Sequence, residues 1–359
     1  MKKVIKMLLT VVMSLTIVAT FPVSVFAYEY GEPNLNDMIQ VKKVGEKEIT
    51  SISADDVNRI RVSKSRKYRD KTDDERVEDI FVALGVDLNE AQKEEIDSNV
   101  SLSHIGGIQT STVYLEIDEE GNQKEISEVV ALSTTQVVEG ATEIKNDSTI
   151  TREPEPETDG KMKQQLTIIY TPHYSGTGTT PDRYVFFGLC EWIDEPVTRR
   201  TDCISLLSPD FRWSDYDENY SLFASYHRLT MEDGVCTMDE EVLEEIDGSE
   251  ADVSSYAGVF FEYNLQDTLW SPSTYVKYTD FSFMIMAVGY VSMDVSAVNR
   301  IGIDLVYTHS KTSIALNINF SWSGTGKTAS ISVSPTTTTK KYTLADQWSY
   351  QRHHNEFFS

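Results

Sequence analysis

The chain has 359 residues, and 57 acidic against 32 basic side chains give it a net charge of −25 at pH 7. This excess of negative charge argues against nucleic acid as a partner, because phosphates would be repelled over most of the surface. Three cysteines are too few for a domain held together by a disulfide framework.

The first 27 residues predict a secretory signal peptide. A basic start with Lys2, Lys3 and Lys6 precedes an apolar run that closes on small residues at Ala27. An uncleaved membrane anchor is the alternative, but the polar boundary at Tyr28 favours cleavage. No cysteine directly follows this boundary, and no later apolar run is long enough for a bilayer. We therefore expect a secreted, extracellular bacterial protein without a stable membrane anchor.

Residues 28–138 predict a small α+β domain, and helices dominate its first part. One helix begins at Ser53. A second follows a capping box, in which Thr72 and Glu75 satisfy each other's backbone amides, and it ends at Gly85.

The rest of this domain predicts a third helical piece over residues 88–96 and two strands joined by a hairpin turn. The strands cover residues 112–117 and 124–132. Residues 139–162 then lose all apolar periodicity and are rich in proline and glutamate, which predicts an acidic linker and a domain boundary.

Residues 163–345 predict a mainly antiparallel, β-sandwich-like domain, because apolar and polar residues now alternate with a period of two. A capping box from Thr237 to Glu240 predicts one helix inside it, ending at Gly248. Residues 346–359 predict a polar tail. The predicted strands are 166–170, 183–193, 203–207, 221–229, 258–265, 283–291, 301–308, 313–322 and 329–334.

The string Ser323-Gly-Thr-Gly-Lys-Thr328 has the look of a phosphate-binding loop, but its surroundings argue against that function. Ser321 stands where the motif needs its first glycine, and a strand pattern follows where the motif needs a helix. A near copy at residues 175–180 lacks the lysine. We therefore predict a tight connection between two antiparallel strands, with Lys327 in solvent.

The cysteines Cys190 and Cys203 flank a short segment centred on Pro196 and Val197. If the two flanking strands pair around this centre, the cysteines lie opposite each other, and a cross-strand disulfide is one interpretation. Two buried thiols are the other. Cys236 is left over in either case.

The sequence assigns no residue to a metal or a cofactor. The histidine pair at 353–354 is better explained as part of a polar tail. Residues 215–219 imitate the start of a calcium loop, but Tyr220 stands where that loop needs glycine. The carboxylates of residues 239–252 predict a solvated helix face rather than a calcium site.

Catalytic residues are not assigned either. The chain has no Gly-x-Ser-x-Gly nucleophile elbow. A thiol–imidazole pair of Cys236 with His227 or His309 has no support from neighbouring residues. A glycosidase needs two facing carboxylates, and the isolated candidates on aromatic strands are Glu191, Asp194 and Glu262.

Two segments have residue patterns that suit binding to a membrane or to an anionic polymer. Residues 59–71 hold seven basic side chains, which suit an anionic polymer or lipid but also a solvated segment neutralised by its acidic neighbours. Residues 313–334 alternate Ser or Thr with apolar residues, as a membrane-inserting hairpin does. Any amphipathic sandwich hairpin has the same pattern, so the structural interpretation is favoured for both segments.

The expected fold is an α+β N-terminal unit followed by a mainly antiparallel β-sandwich-like domain. Because catalytic motifs are missing, the sequence favours a non-enzymatic extracellular binding or interaction module, with an extracellular protein or a glycan as its partner. A membrane-active secreted β-protein and a secreted hydrolase are the alternatives.

Overall fold

The computed structural model of the protein describes residues 34–118, 123–133, 158–172, 182–194, 201–213, 216–232, 235–266, 269–270, 274–291, 301–310, 317–323, 328–334 and 339–348. Within these ranges the chain is mostly antiparallel β-structure with a few helices, and its two larger sheets do not close on themselves. None of the helices in the described ranges is both long enough and apolar enough to cross a membrane. The predicted signal peptide, residues 139–157 of the predicted linker and the chain from residue 349 lie outside the described residues.

In the described residues the α-helices lie in the N-terminal part of the chain, where three of them are predicted. They are α1 Leu35–Met38, α2 Ala54–Val62, α3 Asp73–Ala83, α4 Glu90–Asn99 and α5 Glu128–Leu132. Three 3₁₀ turns add Leu102–His104, Asp217–Asn219 and Gly248–Glu250.

The predicted ends of α3 are confirmed. The Thr72 hydroxyl accepts a hydrogen bond from the Glu75 amide, and the Glu75 carboxylate accepts one from the Thr72 amide at 2.6 Å. Gly85 follows the last helical turn with a φ of +76°, a conformation that disfavours side chains with a Cβ. A second capping box, between Asn89 and Gln92, begins α4.

The strand predicted over residues 124–132 is wrong in its second half. The strand ends at Ile126, and the Ser127 side chain then caps α5 by accepting from the Val130 amide. A strand would have buried alternate residues of this run, but Val129, Val130 and Leu132 are all exposed. Local capping therefore decides the conformation here.

The larger sheet has the order β1-β2-β3-β5-β6-β14-β9-β10, with β4 added to β3 and with β8 and β13 added to β14. All its pairings are antiparallel. β3 precedes the predicted linker, and β5 begins inside its last five residues at Thr158, so residues 158–162 are strand and both parts of the chain contribute to one sheet. The division into domains stays a prediction. The strands are β1 Gln40–Val44, β2 Lys47–Ser53, β3 Gly107–Asp118, β4 Gln123–Ile126, β5 Thr158–Thr171, β6 Arg183–Asp194, β8 Phe211–Trp213, β9 Tyr220–Glu232, β10 Val235–Asp247, β13 Leu269–Trp270 and β14 Thr274–Val291.

The smaller sheet has the order β11-β12-β7-β15-β18, and a separate hairpin joins β16 to β17. Every strand predicted between residues 163 and 345 overlaps an observed strand, although residues 313–316 lie outside the described ranges. The strands are β7 Thr201–Leu207, β11 Asp252–Ser254, β12 Gly258–Asn264, β15 Ile301–Ser310, β16 Asn317–Ser323, β17 Thr328–Ser334 and β18 Thr339–Trp348.

The helix predicted from Thr237 to Gly248 is wrong, because this segment is strand β10. Val242 and Ile246 are four residues apart, a spacing that shares a face in a helix and in a strand alike. Leu243 distinguishes the two, since a helix would bury it beside them. It is 42% exposed, as the outer position of a strand requires.

Apolar cores lie on both faces of the larger sheet. Phe186 and Phe283 face the smaller sheet, where Leu206 and Leu305 meet them. On the opposite face, helices α2–α4 cover the sheet through residues such as Phe81, whose ring contacts Phe187 edge-on at 6.1 Å. The larger sheet is therefore the middle layer, and its side chains alternate between two cores.

The predicted pairing of the strands that carry Cys190 and Cys203 is wrong. Cys190 lies on β6 in the larger sheet and Cys203 on β7 in the smaller one, so the chain changes sheets between them instead of forming a hairpin. Both side chains are buried thiols.

Candidate functional site

A group of hydrogen-bonded polar side chains lies inside the sandwich, between the two sheets. We call it the polar cluster; its members are Asp202, Tyr307, His309 and Trp192, and each is at most 2% exposed. Buried groups of this kind are found at catalytic sites and also as structural networks, so their geometry decides their role.

Strand pairing brings the cluster together. Asp202 on β7 lies directly opposite His309 on β15. Tyr307 is two residues before His309 and therefore projects from the same face of the small sheet. Trp192 comes from β6 and reaches the cluster across the core from the larger sheet.

The carboxylate of Asp202 is the centre of the cluster. Its Oδ1 lies 2.8 Å from Nδ1 of His309, and its Oδ2 accepts the hydrogen bond of the Tyr307 hydroxyl. The Trp192 indole donates to the Tyr307 oxygen at 3.0 Å, which ties the larger sheet to the smaller one. Since an ionised carboxylate only accepts hydrogen bonds, Nδ1 of His309 carries its hydrogen towards Asp202.

The Tyr307 hydroxyl keeps its proton because the cluster is buried. Desolvation, and then the charge of Asp202, hold the pKa of Tyr307 well above its usual range, so the phenol stays a donor. Nε2 of His309 is buried and has no hydrogen-bond partner among the described residues.

An imidazole–carboxylate pair supports catalysis only beside an accessible nucleophile. Cys190 and Cys203 both lie near this cluster and are buried, and the Cys190 thiol takes a hydrogen bond from Gln164 at 3.7 Å. Burial raises the pKa of that thiol, which suppresses the reactive thiolate. The arrangement therefore links the two sheets through hydrogen bonds between buried side chains.

The thiol–imidazole pairs considered for Cys236, which the sequence does not support, are not formed. Cys236 is exposed at the start of β10, and His227 lies opposite Glu241, five positions further along that strand. At ~3.3 Å per residue, five positions separate the two side chains by about 17 Å once the spacing between the strands is included. His227 instead holds the Asp239 carboxylate at 2.8 Å, and His309 lies in the core.

The carboxylates named as glycosidase candidates do not face each other. Glu191 pairs with Lys163 at 3.3 Å, and Asp194 pairs with Lys161 at 3.5 Å. Glu262 is exposed on β12 of the smaller sheet. Each strand's alternation places Glu191 on the helix-covered side of the larger sheet and Glu262 on the far side of the smaller one, so the whole sandwich separates them.

The phosphate-loop string connects two antiparallel strands, as predicted. Ser323 pairs with Thr328, and β17 follows where the motif would require a helix. Lys327, whose position in solvent is also predicted, lies outside the described residues.

Residues 217–219, which belong to the segment that imitates the start of a calcium loop, form a 3₁₀ turn. In the part of the chain that the structure describes, no three His, Cys, Asp or Glu side chains are placed to hold a metal.

The basic segment, residues 59–71, packs around one buried arginine. The guanidinium of Arg76 donates to the carbonyl oxygens of Ile60, Arg61 and Tyr68 at 3.0, 2.6 and 2.5 Å. Two of these carbonyl groups, those of Ile60 and Arg61, belong to the last turn of α2, where the helix supplies no i+4 amide. The Arg76 guanidinium therefore holds the basic segment against α3.

Sequence reasoning missed Asp202, Tyr307 and Trp192 as members of one cluster. A usable indication was present, because the period-two pattern places Asp202 on the same face as Ile204 and Leu206. It likewise places His309 on the face of Leu305. A charged residue at an apolar-face position indicates a buried partner.

Comparison of the sequence with protein-family models and with curated proteins finds no match. The assignment of a function therefore depends on the geometry of this chain alone.

Proposed function

We propose that the protein is an exported, non-enzymatic binding module that contacts an extracellular protein through its surface. The observation that carries the proposal is the burial of Asp202 and His309. This pair has the composition of a catalytic dyad, yet it is sealed in the core with a thiol whose reactivity burial suppresses.

Two pairs of accessible groups that were considered for catalysis support the same conclusion, because the members of each pair lie far apart. Glu191 and Glu262 lie on opposite outer faces, and Cys236 lies far along its strand from His227. A binding function needs no pair of converging groups, since a protein partner is held by an extended surface.

The architecture that we infer for this module is an α+β N-terminal unit on a β-sandwich-like domain, in the order expected from the sequence. Its support is the layering: helices α2–α4 cover one face of the larger sheet, and the smaller sheet covers the other. Both layers immobilise the middle sheet, which suits a module that binds without changing shape.

The proposal is tested by retention on the immobilised full-length chain. The two probes are the extracellular protein fraction of the producing bacterium and its purified peptidoglycan. We expect saturable retention of protein at physiological salt. No saturable retention of protein would overturn the proposal, as would turnover in a hydrolase substrate panel that a folded His309→Gln variant abolishes. Retention of peptidoglycan alone would assign a glycan partner instead.

A membrane-active function is a second candidate, favoured by the register of the β16–β17 hairpin. The pairs Ile318–Val333, Phe320–Ile331 and Trp322–Ala329 are apolar, and the intervening pairs Asn319–Ser332 and Ser321–Ser330 are polar. A register that pairs apolar with apolar and polar with polar residues is the pattern of an amphipathic hairpin. The hairpin is inserted between β15 and β18, which pair directly with each other.

Dye release from liposomes tests this second candidate. Vesicles of neutral and of anionic lipid are exposed to the protein before and after limited trypsin treatment. Leakage that a Phe320→Ser and Ile331→Ser variant loses supports a membrane-active hairpin. Absence of leakage in all conditions removes this candidate.

A further inference from the structure

Strand β10 forms one edge of the larger sheet. Among the described residues it pairs only with β9, so the backbone amide and carbonyl groups along its other side face outward. An edge of this kind accepts an additional strand, with backbone hydrogen bonds giving affinity and side chains giving specificity.

The inner face of β10 is held firmly in the sandwich. Glu244 accepts hydrogen bonds from Tyr226 on the neighbouring strand and from Tyr263 on the smaller sheet, each at 2.9 Å. Val242 and Ile246 pack against the core on the same face. The edge is therefore presented in a fixed conformation, which lowers the entropic cost of binding.

The opposite face of β10 carries what we call the exposed row: Glu241, Leu243, Glu245 and Asp247, all of which are exposed. Elsewhere on the strand Asp239 is paired with His227 and Glu240 with Arg228. Neither Glu241 nor Glu245 forms an ion pair with any cation in the described part of the chain. The Asp247 carboxylate accepts from the Ser249 amide at 2.8 Å, so it is engaged locally.

The surroundings of Glu245 strengthen the negative field of the exposed row. A groove of about 430 Å³ beside it is also lined by Glu95, Asp217 and Glu218, and by no lysine, arginine or histidine. Burial, and then the charge of Glu245, raise the pKa of Glu95. The negative charge here is thus incompletely compensated within the described chain.

We propose that β10 docks an extended segment of the partner protein that carries basic residues opposite Glu241 and Glu245 and an apolar residue opposite Leu243. The required pattern is basic-x-apolar-x-basic, because successive residues of a strand alternate between faces. The pattern is symmetrical, so it fits a parallel or an antiparallel segment. This inference rests on the proposed binding function and specifies its partner.

A second copy of the chain fits the edge less well. Two β10 edges would bring carboxylates together, which destabilises a strand pair. The opposite edge of the sheet, β1, carries Lys42 and Lys43 at adjacent positions, so only one of them lies on any one face. The acidic row therefore disfavours self-pairing while it favours a basic partner, as specific interfaces do.

The test uses two fluorescent seven-residue peptides of equal composition with the full-length chain. One is TKTVTKT, which has the required pattern, and the other is TKKVTTT, which lacks it. We expect the patterned peptide to bind at least roughly tenfold more tightly, a difference of about 1.4 kcal/mol. It should also slow the amide exchange of alternate residues between Val242 and Asp247, which charge attraction alone would not do.

The matched variants distinguish docking of a strand on β10 from non-specific attraction between opposite charges. A double variant, Glu241→Lys with Glu245→Lys, should lose the binding of the patterned peptide. Glu46→Lys, at an exposed position between β1 and β2 at the other edge of the sheet, should keep it. Equal binding of both peptides, binding without amide protection, or no binding would each overturn the docking edge. Self-association of the protein that the double variant abolishes would assign the edge to a second copy instead.

The same double variant distinguishes failure of this inference from failure of the proposed function. If the double variant retains extracellular protein as well as the wild type does, the chain is a binding module whose contact surface is not β10. Loss of retention in the double variant, but not in Glu46→Lys, supports both proposals together.

Discussion

Asp202 and His309 lie directly opposite each other on neighbouring strands, and their side chains meet at 2.8 Å without access to solvent. Tyr307 and Trp192 extend this contact to the other sheet. Because each of these groups depends on the next for its hydrogen bonds, the polar cluster should behave as one cooperative unit in unfolding.

Replacing Asp202 with Asn should destabilise the protein strongly. The change removes the charge that His309 and Tyr307 share, and breaking a buried pair of this kind costs about 3 kcal/mol or more. Urea unfolding measures the effect. Asp194→Asn is the control, since its carboxylate is half exposed and its pair with Lys161 should contribute less than about 1 kcal/mol. Equal losses in the two variants would contradict the structural role of the cluster.

Replacing Arg76 with Lys should cost about 2 kcal/mol of unfolding free energy. The guanidinium reaches three carbonyl oxygens from two nitrogens, and an ammonium group cannot reproduce this fork. The control is Arg61→Lys, because Arg61 is exposed and its guanidinium donates to the Asn58 side chain. A loss no greater than that of the control would show that Arg76 does not order the basic segment.

Replacing Gly248 with Ala should destabilise the junction after β10. A Cβ at this position would lie 1.9 Å from the Asp217 carbonyl oxygen, so the two 3₁₀ turns would have to separate, at a cost above about 2 kcal/mol. Gly85→Ala is a useful comparison. It has open space but a φ of +76°, so it should cost only about 1 kcal/mol, and thermal unfolding of both variants would rank them.

The Tyr226–Glu244 hydrogen bond should make stability depend on pH in the alkaline range. Burial, and then the hydrogen bond to Glu244, raise the pKa of Tyr226 to about 12 from its usual 10. Between these values the unfolded chain has lost the phenolic proton while the folded chain keeps it, so the free energy of unfolding falls as pH rises. Below pH 10 this contribution is fully present. Tyr226→Phe should flatten the decline in stability between pH 10 and 12, and an unchanged slope would refute the assignment.

The local parts of the fold were predictable from sequence because their causes are local. The capping box of Thr72 and Glu75 and the glycine at position 85 lie within one helix and its ends. The alternation along β15 and the continuous apolar run in β14 likewise need only neighbouring residues. These signals were sufficient for the strand-rich class of the fold and for the positions of α2, α3 and α4.

The segment that became β10 shows where local signals are ambiguous. A capping-box pattern at Thr237–Glu240 and the spacing of Val242 and Ile246 both suit a helix. The segment forms a strand because it pairs with β9 and because two tyrosines donate hydrogen bonds to Glu244. Both are contacts with residues distant in the sequence.

The candidate site could not be predicted from the sequence for the same reason, since long-range contacts assemble it. Trp192, Asp202 and His309 are brought together by the change of sheet between β6 and β7 and by the pairing of β7 with β15. No spacing in the sequence records either event. The sequence offers only the weaker indication that Asp202 and His309 occupy apolar-face positions.

The most direct test of the account is the accessibility of His309 in the folded protein. Diethyl pyrocarbonate modifies exposed imidazoles, and His227 serves as the internal control because its side chain is 40% exposed whereas that of His309 is fully buried. The reaction is run at mildly alkaline pH, since Asp239 raises the pKa of His227 and only the neutral ring reacts. We expect modification of His227 while His309 stays protected until the protein unfolds. Reaction of His309 at a rate similar to that of His227 would show that the polar cluster is open to solvent, and would contradict a non-enzymatic role for it.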